Sequence, residues 1–292
     1  MALFPRKNDA IHANGDHMVN GGTSDIAITA RGSDWYWTVC AVMFVSTMVI
    51  VGLSFTKPRN HRIFHYITAA ITMVAAIAYF TMGADLGETG IKVEFMRNNP
   101  KVHGTTREIF YVRYIDWVIT TPLLLMDLLL TAALPWPTVM YTILINEIMV
   151  ITGLIGALVT SSYKWGYFVF GCFAFLWVAW TVTWTARKHA NALGADIGRT
   201  YLICGVWTIF LWFLYPIAWG LSEGGNVIAP DSEAVFYGIL DILAKPVFGA
   251  LLLWGHKDID PARLGLNIKD YLEDPTSATN GDKVGATGAV DA

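Results

Sequence analysis

Charge is scarce in this chain. Lysine, arginine, aspartate and glutamate together make up 15% of the 292 residues, against 54% apolar residues, and the mean hydropathy is positive. Soluble domains carry about 25% charged residues, so the composition excludes an ordinary soluble fold and points to a membrane protein. Cysteine is almost missing as well. Cys40, Cys172 and Cys204 are the only three, and all fall inside apolar runs, which reads as buried thiols rather than a disulfide framework or a metal site. No basic cluster offers itself to nucleic acid, and the net charge of −3 says nothing of partners. Residues 1–33 lack the basic-then-apolar pattern of a cleavable signal, which leaves the first apolar run as the insertion signal. Residues 257–292, with DPTSATNGDKVGATGAVDA, read as a disordered tail. The expected organisation is a polar segment 1–33, a membrane domain 34–256 and that tail.

What is present is a set of apolar runs near the ~20 residues that cross a bilayer core. Seven are found, roughly 34–55, 62–83, 108–132, 137–159, 164–187, 199–221 and 233–256. Polar or turn-rich links punctuate them, such as TKPRNHR, ALPWP and SEGGNVIAPDSE. The fold class expected is an all-α seven-transmembrane helix bundle, with the lipid bilayer as its first partner. With the N-terminus outside, the inner loops and tail hold Lys57, Arg59, Arg62, Arg187, Lys188, Arg199, Lys257, Arg263, Lys269 and Lys283 against eight basic residues outside, four of these in 84–109. That slight bias favours an outside N-terminus and a cytoplasmic C-terminus.

One stretch breaks the apolar rule. RYIDWVITTPLLLMD, residues 113–127, carries Arg113, Asp116 and Asp127. An ionisable group near the bilayer centre costs about 2.5–3.5 kcal/mol on insertion scales and is therefore usually paired or functional. Arg113, near the helix start, has the alternative of reaching the interface. The two aspartates are separated by about three helical turns, or about 16 Å along the axis, so they share one face at two depths. Thr120 lies on that face one turn beyond Asp116, and Pro122 loosens the backbone locally. The seventh run supplies Lys245 at its midpoint and Asp241 one turn away on nearly the same face. Two readings of this lysine stand: an ion pair joining two helices, or an amine that condenses with an aldehyde into a Schiff base, with Asp116 and Asp241 as its counterions. In the sixth run, Trp212, Tyr215 and Trp219 stand three and four apart beside Pro216. Such stripes are more often ordinary packing, but a mid-membrane position suits flat walls around a long conjugated ligand.

RYIDWVITTPLLLMD, WFLYPIAW and LDILAK resemble the corresponding motifs of the microbial (type I) rhodopsins, especially the fungal proton-pumping, bacteriorhodopsin-like branch. The resemblance spans residues 34–256 and leaves both tails out. It implies all-trans retinal on Lys245 as a protonated Schiff base, Asp116 as proton acceptor and primary counterion, and Asp241 as second counterion. Arg113 would hold waters between the aspartates on the extracellular side, with Thr120 in the proton path, Tyr79 near Asp241, and Asp127 as cytoplasmic donor. Glu223 and Glu233 match the extracellular release pair, although acids in a surface loop need no special role. Trp117, Thr121, Leu124, Met149, Gly153, Trp212, Tyr215, Pro216 and Trp219 fall where the family lines its pocket. The same resemblance implies a light-driven outward proton pump, not an enzyme, in the plasma membrane, and it allows a homo-oligomer.

Departures are visible too. Asn146 stands where some relatives have an aspartate; Glu147 follows it and is expected to be a protonated or hydrogen-bonded interhelical acid. Phe168 replaces a fifth-helix tryptophan. Asp116 argues against a halide pump, the pair Asp116 and Asp127 against a sodium pump, and an apolar first span with only Asp34 at its edge against a channel. A slow-cycling sensory photoreceptor is the alternative that survives, and Asp127 speaks for the pump.

Overall fold

The computed structural model describes residues 8–14 and 24–270. Among the described residues, seven helices are long and apolar enough to cross a membrane: α1 Ala30–Ser54, α2 Ile63–Gly83, α3 Val112–Thr131, α4 Trp136–Leu158, α5 Lys164–Leu193, α6 Ala195–Gly224 and α7 Pro230–Gly255. Their bounds follow local chemistry. Thr29 caps α1 by accepting from the Arg31 amide, and prolines open α4 and α7, where the missing N–H costs nothing. Only Gly194 separates α5 from α6. Its φ of 139° is open to glycine alone, and a Cβ would sit 2.9 Å from the Asp196 carboxylate.

The outer faces are apolar. Phe44, Val45 and Met48 on α1, Phe170 and Phe173 on α5, and Val206 and Phe210 on α6 are all exposed, as lipid-facing side chains must be in a multi-pass membrane protein whose backbone bonds are closed within each helix. The centre of the bundle belongs to α3, 67% buried over its apolar window against 22% for α5. Leu124, Leu125, Leu128 and Leu129 of α3 pack with Ile71, Val178, Tyr201 and Phe248 in the main core.

Helical hydrogen bonding widens to π geometry at three places: Thr181–Ala186 in α5, Gly220–Gly224 ending α6, and Leu243–Val247 in α7. The last contains Lys245 and Pro246. Proline removes a backbone donor there, and such local widenings recur at functional positions.

The third span starts later than the apolar run suggests. Residues 106–109 form β2 (Thr106–Ile109), which pairs antiparallel with β1 (Thr89–Lys92) and carries a parallel bridge from Ile26 to Arg107. Strands of four residues are too short to announce themselves by alternation. This hairpin covers one end of the bundle, called here the hairpin end; the starts of α1, α3, α5 and α7 lie there. The polar N-terminal segment and the start of the tail expected to be disordered both carry structure. Residues 10–14 form a short helix, and residues 261–264 make a 3-10 turn that buries Leu264. The tail beyond 270, also expected to be disordered, lies outside the described residues.

Candidate functional site

Asp116, Asp241 and Lys245 meet at the bundle centre. Lys245 Nζ donates to Asp116 Oδ2 at 2.5 Å and lies 3.2 Å from Asp241 Oδ2. All three side chains are buried. Asp241 is further held by two phenols, Tyr79 at 2.7 Å on Oδ2 and Tyr215 at 2.6 Å on Oδ1, so its lone pairs are well satisfied. Asp116 is less so, because Oδ1 has no partner. The expected help from Thr120 goes elsewhere: its hydroxyl donates to the Asp116 main-chain oxygen at 2.8 Å, the usual back-bond of a helical threonine. One cation with two carboxylates leaves a net negative site, suited to keep a proton on nitrogen and able to receive it on Asp116 Oδ1.

A cavity of about 110 Å³ runs away from this triad. Trp117, Thr121, Leu124, Met149, Gly153, Trp212, Tyr215, Pro216 and Trp219 all line it, as the sequence suggests, and Phe168 does so by stacking on Trp219 with centroids 5.0 Å apart. Tyr114, Val150 and Ala244 also line it, and from α5 so do Tyr167, Gly171, Cys172 and Phe175. These four were not legible beforehand because α5 is apolar all round and its inward face has no marker. Asp241 and Lys245 are the charged residues in the lining. The lining therefore fits a long apolar molecule with a carbonyl end at the lysine. Thr121 also ties α3 to α4 by accepting from Asn146 Nδ2 at 2.7 Å. Glu147, expected to bond between helices, is instead half-buried beside Asn146 of its own helix, 3.4 Å from its amide.

Arg113 neither reaches the interface nor contacts the aspartates. Fully buried, it turns toward the hairpin end and donates to Glu223 at 3.0 Å, Glu233 at 2.6 Å and Tyr36 at 3.0 Å. Its guanidinium also lies over the Tyr237 ring. The two glutamates are buried, not in a surface loop, and they differ. Glu233 is clamped by two arginines, Arg113 and Arg107, the latter at 2.6 Å. Glu223 has one arginine and three hydroxyls, from Tyr114, Tyr237 and the adjacent Ser222. Sequence reasoning missed Arg107, Tyr36 and Tyr237. Only Tyr237 carried a signal, one turn before Asp241 on the same face.

Beside this network, outside the spans, the Asp85 and Glu108 carboxyls are hydrogen-bonded to each other and burial pushes both upward. Glu88 is pushed to about 7 by burial and then by the Asp85 charge. Glu108 also accepts the Ile28 amide at 2.6 Å, which docks the segment preceding α1.

Asp127 lies apart from all of these. It is fully buried, Oδ2 accepts from Thr68 at 3.2 Å, and Oδ1 has no partner. No basic group pairs with it among the described residues. A lone carboxylate there would be costly, which favours the uncharged acid.

Comparison with known proteins agrees with this geometry. The sequence pattern of the family described as bacteriorhodopsin-like protein matches residues 32–259. The opsin-like protein carO of Fusarium fujikuroi is 66% identical over 271 residues, covering 93% of this chain and 88% of its own. Among solved structures, the light-driven proton pump Coccomyxa subellipsoidea rhodopsin is 38% identical with a TM-score of 0.74, covering 79% of this chain and 99% of its own. A light-driven proton pump from Leptosphaeria maculans is 35% identical with a TM-score of 0.76, covering 81% and 99%.

Proposed function

The chain belongs to the bacteriorhodopsin-like family, and from that premise we propose that it is a light-driven outward proton pump carrying all-trans retinal on Lys245. Members of this family are light-driven ion pumps rather than enzymes, and the family implies a retinal chromophore. Retinal bound as a protonated Schiff base supplies light absorption and an isomerisation that changes the proton affinity and surroundings of the nitrogen. The protein does the rest. Trp117, Trp212, Tyr215 and Trp219 confine the ligand, and Asp116 and Asp241 balance the charge at Lys245 Nζ. Asp116, with its free Oδ1, takes the proton from Nζ; Asp127, three turns away on the same helix, gives one back from the other side.

The observation that carries this reading is the pair of buried aspartates on α3. One touches the lysine; the other has a single hydroxyl and no basic group against it, a setting that favours the uncharged acid. A donor must hold a proton in the dark and a counterion must not. Arg113, Glu223 and Glu233 form the exit toward the hairpin end, which we assign to the outside, with the Asp127 end cytoplasmic and the plasma membrane as the location. The test is illumination of retinal-supplied cells while external pH is followed. Acidification that a protonophore abolishes supports the pump; a stable pigment without any pH change favours the sensory photoreceptor.

A further inference from the structure

Arg107 has no part in the pumping scheme above, although it is buried in the same lattice as Arg113, Glu223 and Glu233. Strand β2 delivers it. Alternation along the strand sends Glu108 one way, to the Ile28 amide, and Arg107 the other way, to the α6–α7 link. There Nη1 donates to Asn226 Oδ1 and to the Ile228 carbonyl oxygen, both at 2.8 Å, and Nη2 donates to Glu233 Oε2 at 2.6 Å. Asn226 and Ile228 are neutral acceptors, so Glu233 alone answers the charge of Arg107.

The lattice has donors to spare. Arg113 Nη1 bonds both glutamates and Nη2 bonds Tyr36. The Tyr114 and Tyr237 hydroxyls both end on Glu223. The Nε–H groups of Arg107 and Arg113 are buried without an acceptor among the described residues. A proton on either glutamate would add a donor and remove an acceptor where acceptors are already short.

Charge points the same way. Guanidinium keeps its proton in proteins, and a buried cation without its anion is strongly disfavoured. Within the bundle, Arg107, Arg113, Lys164 and Lys245 are buried with Asp116, Asp241, Glu223 and Glu233, as many acids as cations. Lys164 Nζ lies 3.5 Å from the Glu223 carbonyl oxygen. Glu94, which also faces Lys164, is partly open to solvent and accepts the Trp165 indole N–H at 3.1 Å. The buried charges therefore balance when both exit glutamates are ionised.

We propose, resting on the pump reading above, that Arg107 keeps Glu223 and Glu233 both ionised in the dark, so that the exit stores no proton. The proton released outside in each cycle is then the one that Asp116 has taken from Nζ. Each cycle breaks the Asp116 O–H bond, delivers that proton to bulk water, and leaves both glutamates as they began. Without Arg107, one guanidinium would serve two carboxylates, and one of these would hold a proton at rest, ready to leave early.

The test compares wild type, Arg107→Gln, Arg107→Lys, Glu223→Gln and Glu233→Gln, each with retinal in membranes at pH 7. In dark ¹³C spectra of glutamate-labelled protein, Glu223→Gln and Glu233→Gln should each remove carboxylate signal only. A carboxylic acid signal that either substitution removes from wild type overturns the proposal. After a flash, a pH dye in bulk water should report release no earlier than the loss of the Asp116 carboxylic acid band in infrared spectra. Wild-type release ahead of that loss overturns the proposal as well. In Arg107→Gln one exit glutamate should be protonated in the dark and release should move ahead of Asp116 deprotonation, while Arg107→Lys, which keeps the charge, should behave as wild type. Wild-type dark spectra and timing in Arg107→Gln contradict the role of Arg107, and so does Arg107→Lys behaving as Arg107→Gln. Should Arg107→Gln give no pigment, the wild-type spectra and timing decide. If illuminated wild type releases no proton at all, the pump reading fails, and the dark spectra still test the charge state of the exit.

Discussion

The two ends of the bundle solve the same problem, a polar group inside a membrane protein, in opposite ways. At the hairpin end, Arg107, Arg113, Glu223 and Glu233 neutralise one another in a buried lattice that also takes in Tyr36, Tyr114 and Tyr237. At the other end Asp127 has one hydroxyl, one bare oxygen and a jacket of leucines. A network of charges can shift a proton among many neighbours at small cost, because each change is compensated nearby. A lone acid in hydrocarbon has two states far apart in energy, so it holds its proton until something takes it. The first arrangement suits an exit and the second a gated supply, and in the proposed pump this difference would set the direction.

Lys245 stands between the ends, and losing it removes the comparison altogether. Lys245→Ala should fold yet give no visible pigment with retinal, checked by absorption of the purified protein. Lys245→Arg should do no better, since guanidinium does not form the imine. A covalent red-shifted pigment in either variant would contradict the assignment. Next in size is Asp116→Asn, which leaves Asp241 as the charged partner of Nζ. Absorption should move to the red while the nitrogen stays protonated, that proton should be lost at lower pH than in wild type, and transport should stop. Unchanged acidification by illuminated vesicles would place the acceptor elsewhere.

The smallest expected effect belongs to the rim of the hairpin end. Glu88 is held near 7, above the ordinary carboxyl value. The folded form therefore binds its proton more tightly than the unfolded chain does. The associated stability is fully present below the usual carboxyl range and fades as pH rises through about 7. Half exposure screens the effect, which should stay under about 1 kcal/mol. Thermal unfolding scans from pH 5 to 8 should show a small decline that Glu88→Gln flattens; identical slopes in both proteins would remove Glu88 from the account.

How much of this could be read from the sequence depended on whether a feature lies within one helix. Seven spans, the shared face of Asp116 and Asp127, and the turn joining Asp241 to Lys245 are properties of single segments with a fixed period, and the structure shows each. The direction of Arg113 is not such a property. It is set by Glu223 and Glu233 arriving from α6 and α7, more than a hundred residues along the chain. Arg107 hides in a four-residue strand. Glu147, expected to be a protonated or hydrogen-bonded interhelical acid, lies beside Asn146 on its own helix, and it is Asn146 that bridges to Thr121 on the neighbouring helix.

The contrast between the ends is tested most directly by recovery of the proton at Lys245 Nζ after a flash in Asp127→Asn, measured from pH 5 to 9. With the lone acid gone, that proton must come from bulk water. The account predicts nearly unchanged colour and unchanged initial deprotonation, with recovery slowed roughly a hundredfold at neutral pH. Recovery should slow further as pH rises and quicken on addition of a small permeant weak acid. Recovery at the wild-type rate at neutral and alkaline pH would contradict it, and would leave Asp127 a buried structural acid on a photosensor.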